Sequence, residues 1–224
     1  MDYSEVINLF KQHSDLENAA KMAKYQKNHF QFYGISTPLR RQLSKEFLKE
    51  KALENTVDWD FVFKMWQEEQ RECQYLACDY LLLKKVSPKL TLTDLEKIEK
   101  LVINKSWWDS VDNLDAVAGN IVQNYPQAKE VMLKWSLADN FWLRRLAIDH
   151  QLVFKEKTDH HLLAQMIENN LSGSTFDKEF FINKAIGWSL REYSKINPAW
   201  VQHFIETHEE QMNRLSIREA SKYL

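Results

Sequence analysis

The chain has 224 residues, a formal net charge of −2, and only four Gly and four Pro. That length can bury one substantial core, while so few chain breakers exclude a sandwich, a barrel or a doubly wound sheet, each of which needs many turns. No run of about 18 apolar residues occurs, and Met1-Asp2-Tyr3-Ser4-Glu5 lacks the basic-then-apolar pattern of a signal peptide, so a cytoplasmic protein is expected.

From the N-terminus, Val6, Ile7, Leu9 and Phe10 recur at helical spacing. Residues 17–51 then carry Lys21, Lys24, Lys27, Arg40, Arg41, Lys45, Lys49 and Lys51 against Glu17, Glu46 and Glu50. A basic stretch on an otherwise acidic chain can mark a phosphate-facing surface or simply a solvated helical face. Thr37-Pro38, Tyr125-Pro126 and Asn197-Pro198 place Pro at or near the first position of three helices. Thr93-Asp94-Leu95-Glu96 and Ser216-Ile217-Arg218-Glu219 read as capping boxes. Cys73 and Cys78 fall on one helix, five positions apart, too far for an unstrained disulfide; both are expected as small core residues. Leu171-Ser172-Gly173-Ser174-Thr175 is the one obvious loop. The pattern predicts roughly a dozen helices of about 10–18 residues and no strand.

An internal repeat relates residues 71–80, 141–150 and 180–188. Ala77, Ala147 and Ala185 share a slot, and Asp112 falls 35 residues from each of the first two. Such periods in helix pairs predict an all-α, right-handed superhelical solenoid of HEAT-like or armadillo-like repeats, forming a single domain over residues 1–224. In that register Trp108, Asp112 and Trp188 share one side of successive inner helices, while Arg145 turns away from Asp112 and Arg144 is favoured.

Asp112 belongs to the run Ser106-Trp107-Trp108-Asp109-Ser110-Val111-Asp112. With Ser106 as N-cap, Trp108 and Asp112 lie one turn apart on one helical face. A π surface beside an acceptor-only anion can hold a flat or cationic partner. The structural alternative is a core Trp beside a surface Asp. His160-His161, His203 and His208 lack the spacing of a metal site, so no metal and no cofactor are expected. No Gly-rich phosphate loop, nucleophile setting or Schiff-base Lys is recognisable.

Trp107–Asp112, Asp139–Arg145 and Lys184–Tyr193, together with Lys27–Phe30, Gly34-Ile35 and Thr37–Arg41, resemble the HEAT-like-repeat DNA glycosylases of the AlkD type, from about residue 3 to the C-terminus. Asp15–Tyr25 is similar to that family's helix that approaches the minor groove; Ser36 departs from the family's Gln. The resemblance implies a monomeric, monofunctional hydrolase that releases cationic alkylated purines, 3-methyladenine and 7-methylguanine, from duplex DNA without base flipping. It implies Asp112, Trp108, Trp188 and Arg145 as catalytic residues. DNA contacts are expected from Lys21, Lys24, Tyr25, Arg40, Arg41, Arg144 and Arg191. The alternative is a catalytically inactive DNA-binding or scaffolding relative.

Overall fold

The computed structural model describes residues 2–224 and contains thirteen α-helices and no strand among them; Gln31 and Gln70 form an isolated bridge. The chain divides into two compact units, Met1–Leu90 and Thr91–Leu224. None of the helices is long and apolar enough to cross a membrane.

The first unit holds α1 (Tyr3–Gln12), α2 (Leu16–Tyr25), α3 (Thr37–Lys51), α4 (Trp59–Gln67) and α5 (Arg71–Leu81). Val6, Ile7 and Phe10 are buried, as their spacing predicts, and so are Cys73 and Cys78 on α5, which form no disulfide. In α2, by contrast, no residue is buried. It is held at its start: the Asp15 amide donates to the Tyr33 carbonyl (2.9 Å), and Asn18 Nδ2 donates to that of Gly34 (2.7 Å). Gly34 sits at φ +88°, and a Cβ there would stand 2.0 Å from the Asp15 carbonyl oxygen, so only glycine lets the turn approach α2 so closely. The turn is in turn fixed by buried Glu72, whose carboxylate accepts from the amides of Tyr33, Gly34 and Ile35 at 2.9–3.1 Å.

The second unit holds α6 (Leu95–Val102), α7 (Trp108–Asn124), α8 (Ala128–Trp135), α9 (Phe141–Asp149), α10 (His160–Glu168), α11 (Phe180–Ser194), α12 (Pro198–His208) and α13 (Arg214–Ala220). Helix α9 packs between α7 and α11, with α8 and α10 behind it; α11 packs against α12 and α13. Each helix of the α7–α9–α11 row buries an apolar stripe, among them Val111, Leu114, Ala118 and Ile121 on α7, Leu146 and Ala147 on α9, and Ile182, Ala185 and Ile186 on α11. At Gly187 an added Cβ would lie 2.5 Å from Glu219 Cβ, so this glycine lets α13 close onto α11.

Neither capping box forms where the sequence suggests. Near α6 the box joins Thr91 and Asp94. Ser216-Glu219 lies inside α13, which Asn213 caps; the Ser216 hydroxyl donates to the Asn183 carbonyl on α11 (2.9 Å). The S/T-x-x-E pattern is local, whereas both serine and glutamate here are taken by partners on another helix.

Candidate active site

The site is built on the start of α7. Trp107, not Ser106, is its N-cap residue; the Ser106 hydroxyl donates to the Val102 carbonyl (2.6 Å). Trp107 packs against Trp142 (centroids 5.8 Å) and edge-on to Phe181 (5.2 Å), anchoring this end of α7 to α9 and α11 through an aromatic cluster. Trp108 is therefore the first helical residue, and Asp112 follows one turn later on the same face, both half-buried. Ala77, Ala147 and Ala185 are fully buried, whereas the Asp112 side chain keeps 20% of its surface. Packing does not account for a carboxylate at this position.

Both Asp112 oxygens are held by Arg145, which donates from Nε to Oδ1 (2.8 Å) and from Nη2 to Oδ2 (2.9 Å). Such a two-point fork fixes the carboxylate's plane as well as its place. Arg145 is itself buried, and its Nη1 donates to the Phe181 carbonyl (2.8 Å). The repeat register, which turns Arg145 away from Asp112, is thus corrected. Arg144 is the residue turned away: its guanidinium donates to the carbonyls of Ala138 (2.6 Å) and Leu137 (3.2 Å) and to Asn170 Oδ1 (3.2 Å). Those interior acceptors occupy its fork, and the side chain, expected as a DNA contact, is buried.

Two further carboxylates stand behind the pair. Oxygens of Asp112, Asp115 and Asp149 all lie within 4.8 Å of one another, and Asp149 Oδ2 is 3.6 Å from Arg145 Nη2. The counter-charge at the centre of this cluster is the Arg145 guanidinium. Burial pushes the Asp112 carboxyl above its usual range, with Arg145 pulling it back. Asp115 goes well above that range through burial and then through Asp112 and Asp149; burial pushes Asp149 up to about 7. Burial opposes the Arg145 charge, but Asp149 and Asp112 more than offset it and hold the guanidinium above its ordinary pKa. Because Asp149 binds its proton more tightly folded than unfolded, its contribution to stability is complete below 3.8 and is lost as pH rises through about 7.

The DNA alkylation repair enzyme family matches residues 6–224. The chain belongs to that family. A solved structure described as a predicted DNA alkylation repair enzyme from Enterococcus faecalis is 38% identical, covering 94% of this chain and 96% of that one with a TM-score of 0.85. No curated protein matches the chain. Family membership makes DNA repair its business and DNA the substrate it implies.

In this DNA alkylation repair protein, Trp188 of α11 lies in a ring of cations. Arg145 (5.5 Å), Arg191 (5.7 Å) and Lys184 (5.8 Å) all approach the indole centroid. Arg191 and Lys184 are tied down by buried Glu219, at 3.3 and 3.1 Å, and Arg191 Nε also lies 3.7 Å from Glu192. Hydrogen bonding from Lys222, joined by Lys184, holds the Glu219 carboxyl at about 2. Glu219, Asp115 and Asp149 do not stand out in the sequence as site residues. For the two aspartates the one local signal is spacing: Asp149 follows Arg145 by four, and Asp115 follows Asp112 by three.

The basic residues of the first unit differ among themselves. Lys21, Lys24 and Tyr25 lie on α2, Lys21 and Tyr25 exposed and Lys24 at its last turn; Lys21 pairs with Glu17 across one turn (2.6 Å). Arg41 is exposed and meets Asp79 at 3.1 Å. Arg40, also expected as a DNA contact, is buried, forked on Asp79 Oδ2 (2.9 and 3.2 Å) and set over the Tyr75 ring.

Proposed function

We propose that the chain is a monofunctional alkylpurine DNA glycosylase, hydrolysing the N-glycosidic bond of cationic 3-methyladenine and 7-methylguanine in duplex DNA. The observation that carries this reading is a partly exposed carboxylate, Asp112, held by a two-point fork one turn from Trp108. As the C1′–N bond breaks, its electron pair leaves with the purine, which becomes neutral, and the positive charge passes to the sugar as an oxocarbenium ion. A preorganised carboxylate stabilises that charge without having to reorganise. At about 4 Å and an effective dielectric of ~20 the attraction is roughly 4 kcal/mol, on the order of a thousandfold in rate. Water then adds its oxygen to C1′ and releases a proton through Asp112 to solvent, leaving an abasic site and the free base. Trp108 and Trp188 supply aromatic faces for the sugar and its growing charge.

Such a substrate needs no acid to protonate its leaving group, so the base can stay uncaptured while the protein reads the backbone. The test is release of free 7-methylguanine from a modified duplex; DNA binding without release would mark a non-catalytic relative.

The lysines of α2 are proposed as phosphate-binding groups. In a Lys21→Glu, Lys24→Glu double variant, the slope of log K against log salt should fall by about 0.9 for each phosphate that is no longer neutralised. Unchanged affinity and slope in a salt titration would remove α2 from the DNA interface.

A further inference from the structure

The hydroxyl of Ser189 on α11 makes two short contacts, to the Ile148 carbonyl (3.0 Å) and to Asp149 Oδ1 (2.9 Å), yet it has one proton. The Ile148 carbonyl can only accept, and it lies in the last turn of α9, where carbonyls lack helical partners. The single Ser189 proton is therefore shared between the two acceptors, and Asp149 Oδ1 receives only part of one hydrogen bond. The other oxygen, Asp149 Oδ2, is buried without a hydrogen-bond partner and faces Arg145 Nη2 from 3.6 Å, just beyond bonding reach. Asp149 is thus a buried, sparsely hydrogen-bonded acid placed beside the guanidinium that holds Asp112.

We propose that Asp149 is a positioning residue for the Asp112–Arg145 pair: it shares the guanidinium with Asp112 and, through its own proton, sets how much negative charge Asp112 presents at the site. This rests on the glycosylase reading of Asp112. With Asp149 neutral, Asp112 and Arg145 cancel. With Asp149 ionised, two carboxylates draw on one guanidinium, and the set carries a net negative charge that favours a cation on the sugar. The charged groups facing Asp149 are Arg145 on its own helix and Asp112 and Asp115 on α7; α11 offers the Ser189 hydroxyl. From α8 and the N-cap of α10, Lys129 and Asp159 act on His150 instead, a neighbour that burial holds down at about 4 and therefore neutral. Burial and the neighbouring Asp112 and Asp149 push Asp115 well above its usual range, while burial carries Asp149 up to about 7, so Asp149 is the member placed near neutrality.

The experiment compares single-turnover release of 7-methylguanine by the wild type and Asp149→Asn from pH 5.5 to 8.5. Asn mimics the protonated acid, and the ratio of the two rates cancels any ionisation of the substrate itself. The ratio should be near one at the acid end and rise to about tenfold at the alkaline end, the effect of one unit charge over roughly 10 Å at an effective dielectric of ~20. A merely structural role gives a ratio that is constant with pH and overturns the proposal. Carbon-13 NMR of the Asp carboxyls in the wild type is read in parallel. Asp149 should titrate near 7, with the Asp112 and Arg145 signals moving through the same midpoint. An Asp149 carboxyl ionised throughout, or Asp112 and Arg145 signals blind to it, also overturns the proposal. If the wild type releases no base, the glycosylase reading fails, and the NMR titration still decides the Asp149 coupling by itself.

Discussion

Replacing Asp112 with Asn should slow release of 7-methylguanine about a thousandfold, the factor corresponding to roughly 4 kcal/mol of charge stabilisation. The amide is isosteric and keeps an oxygen for the Arg145 fork, and Asp149 Oδ2 stands 3.6 Å from the same guanidinium to take up its charge. The variant should therefore fold, with a thermal midpoint somewhat below the wild type's because the amide nitrogen faces one arm of the fork, and bind duplex DNA with similar affinity. Near-normal excision would remove the oxocarbenium role from Asp112. A collapse of stability without a separate effect on chemistry would make the residue structural.

Arg145→Met should damage both stability and activity, and in distinguishable ways. Arg145 is buried, and its charge faces Asp112 and Asp149. Removing one partner of a buried ion pair leaves uncompensated charge and costs about 3–5 kcal/mol. In a chain of this size that corresponds to a fall in Tm of roughly 10 °C. Without the guanidinium, burial and the neighbouring acids act on Asp112 unopposed, so its carboxyl titrates higher and the acid limb of excision moves to higher pH. The loss of rate should be severe at neutral pH and partly recovered at alkaline pH. A variant with unchanged Tm and an unshifted acid limb would show that Arg145 neither balances nor orients Asp112. Arg145→Lys keeps the charge and loses the fork, so it should restore stability more than rate.

Much of the helix architecture is legible in the sequence because it is local. Pro198 opens α12 behind Asn197, whose side chain accepts from the Trp200 amide, and Pro38 sits in the first turn of α3. Asp112 stands out for a similar reason: its slot holds alanine elsewhere, and alanine slots mark tight packing. What is not legible depends on how helices are turned against each other. A repeat register counts Cα positions, whereas an arginine side chain extends well past its own helix face, so Arg145 on α9 reaches Asp112 on α7 while its neighbour Arg144 is spent on Leu137, Ala138 and Asn170. Asp149 reads as an ordinary helix-terminal acid until α7 and α11 bring Asp112 and Ser189 to it. Glu219 reads as a cap until Gly187 lets α13 close on α11 and sets it among Lys184, Arg191 and Lys222.

The central claim is that the protein stabilises the sugar cation and relies on the base being already charged. Its most direct test is side-by-side release from duplexes containing 7-methylguanine, uracil and 8-oxoguanine. Free 7-methylguanine should accumulate while the two neutral bases stay in place, because neither can leave readily without a proton donor directed at the base. Comparable release of uracil or 8-oxoguanine would contradict the account, since it requires a base-directed catalytic group that Asp112, Trp108, Trp188 and Arg145 do not supply.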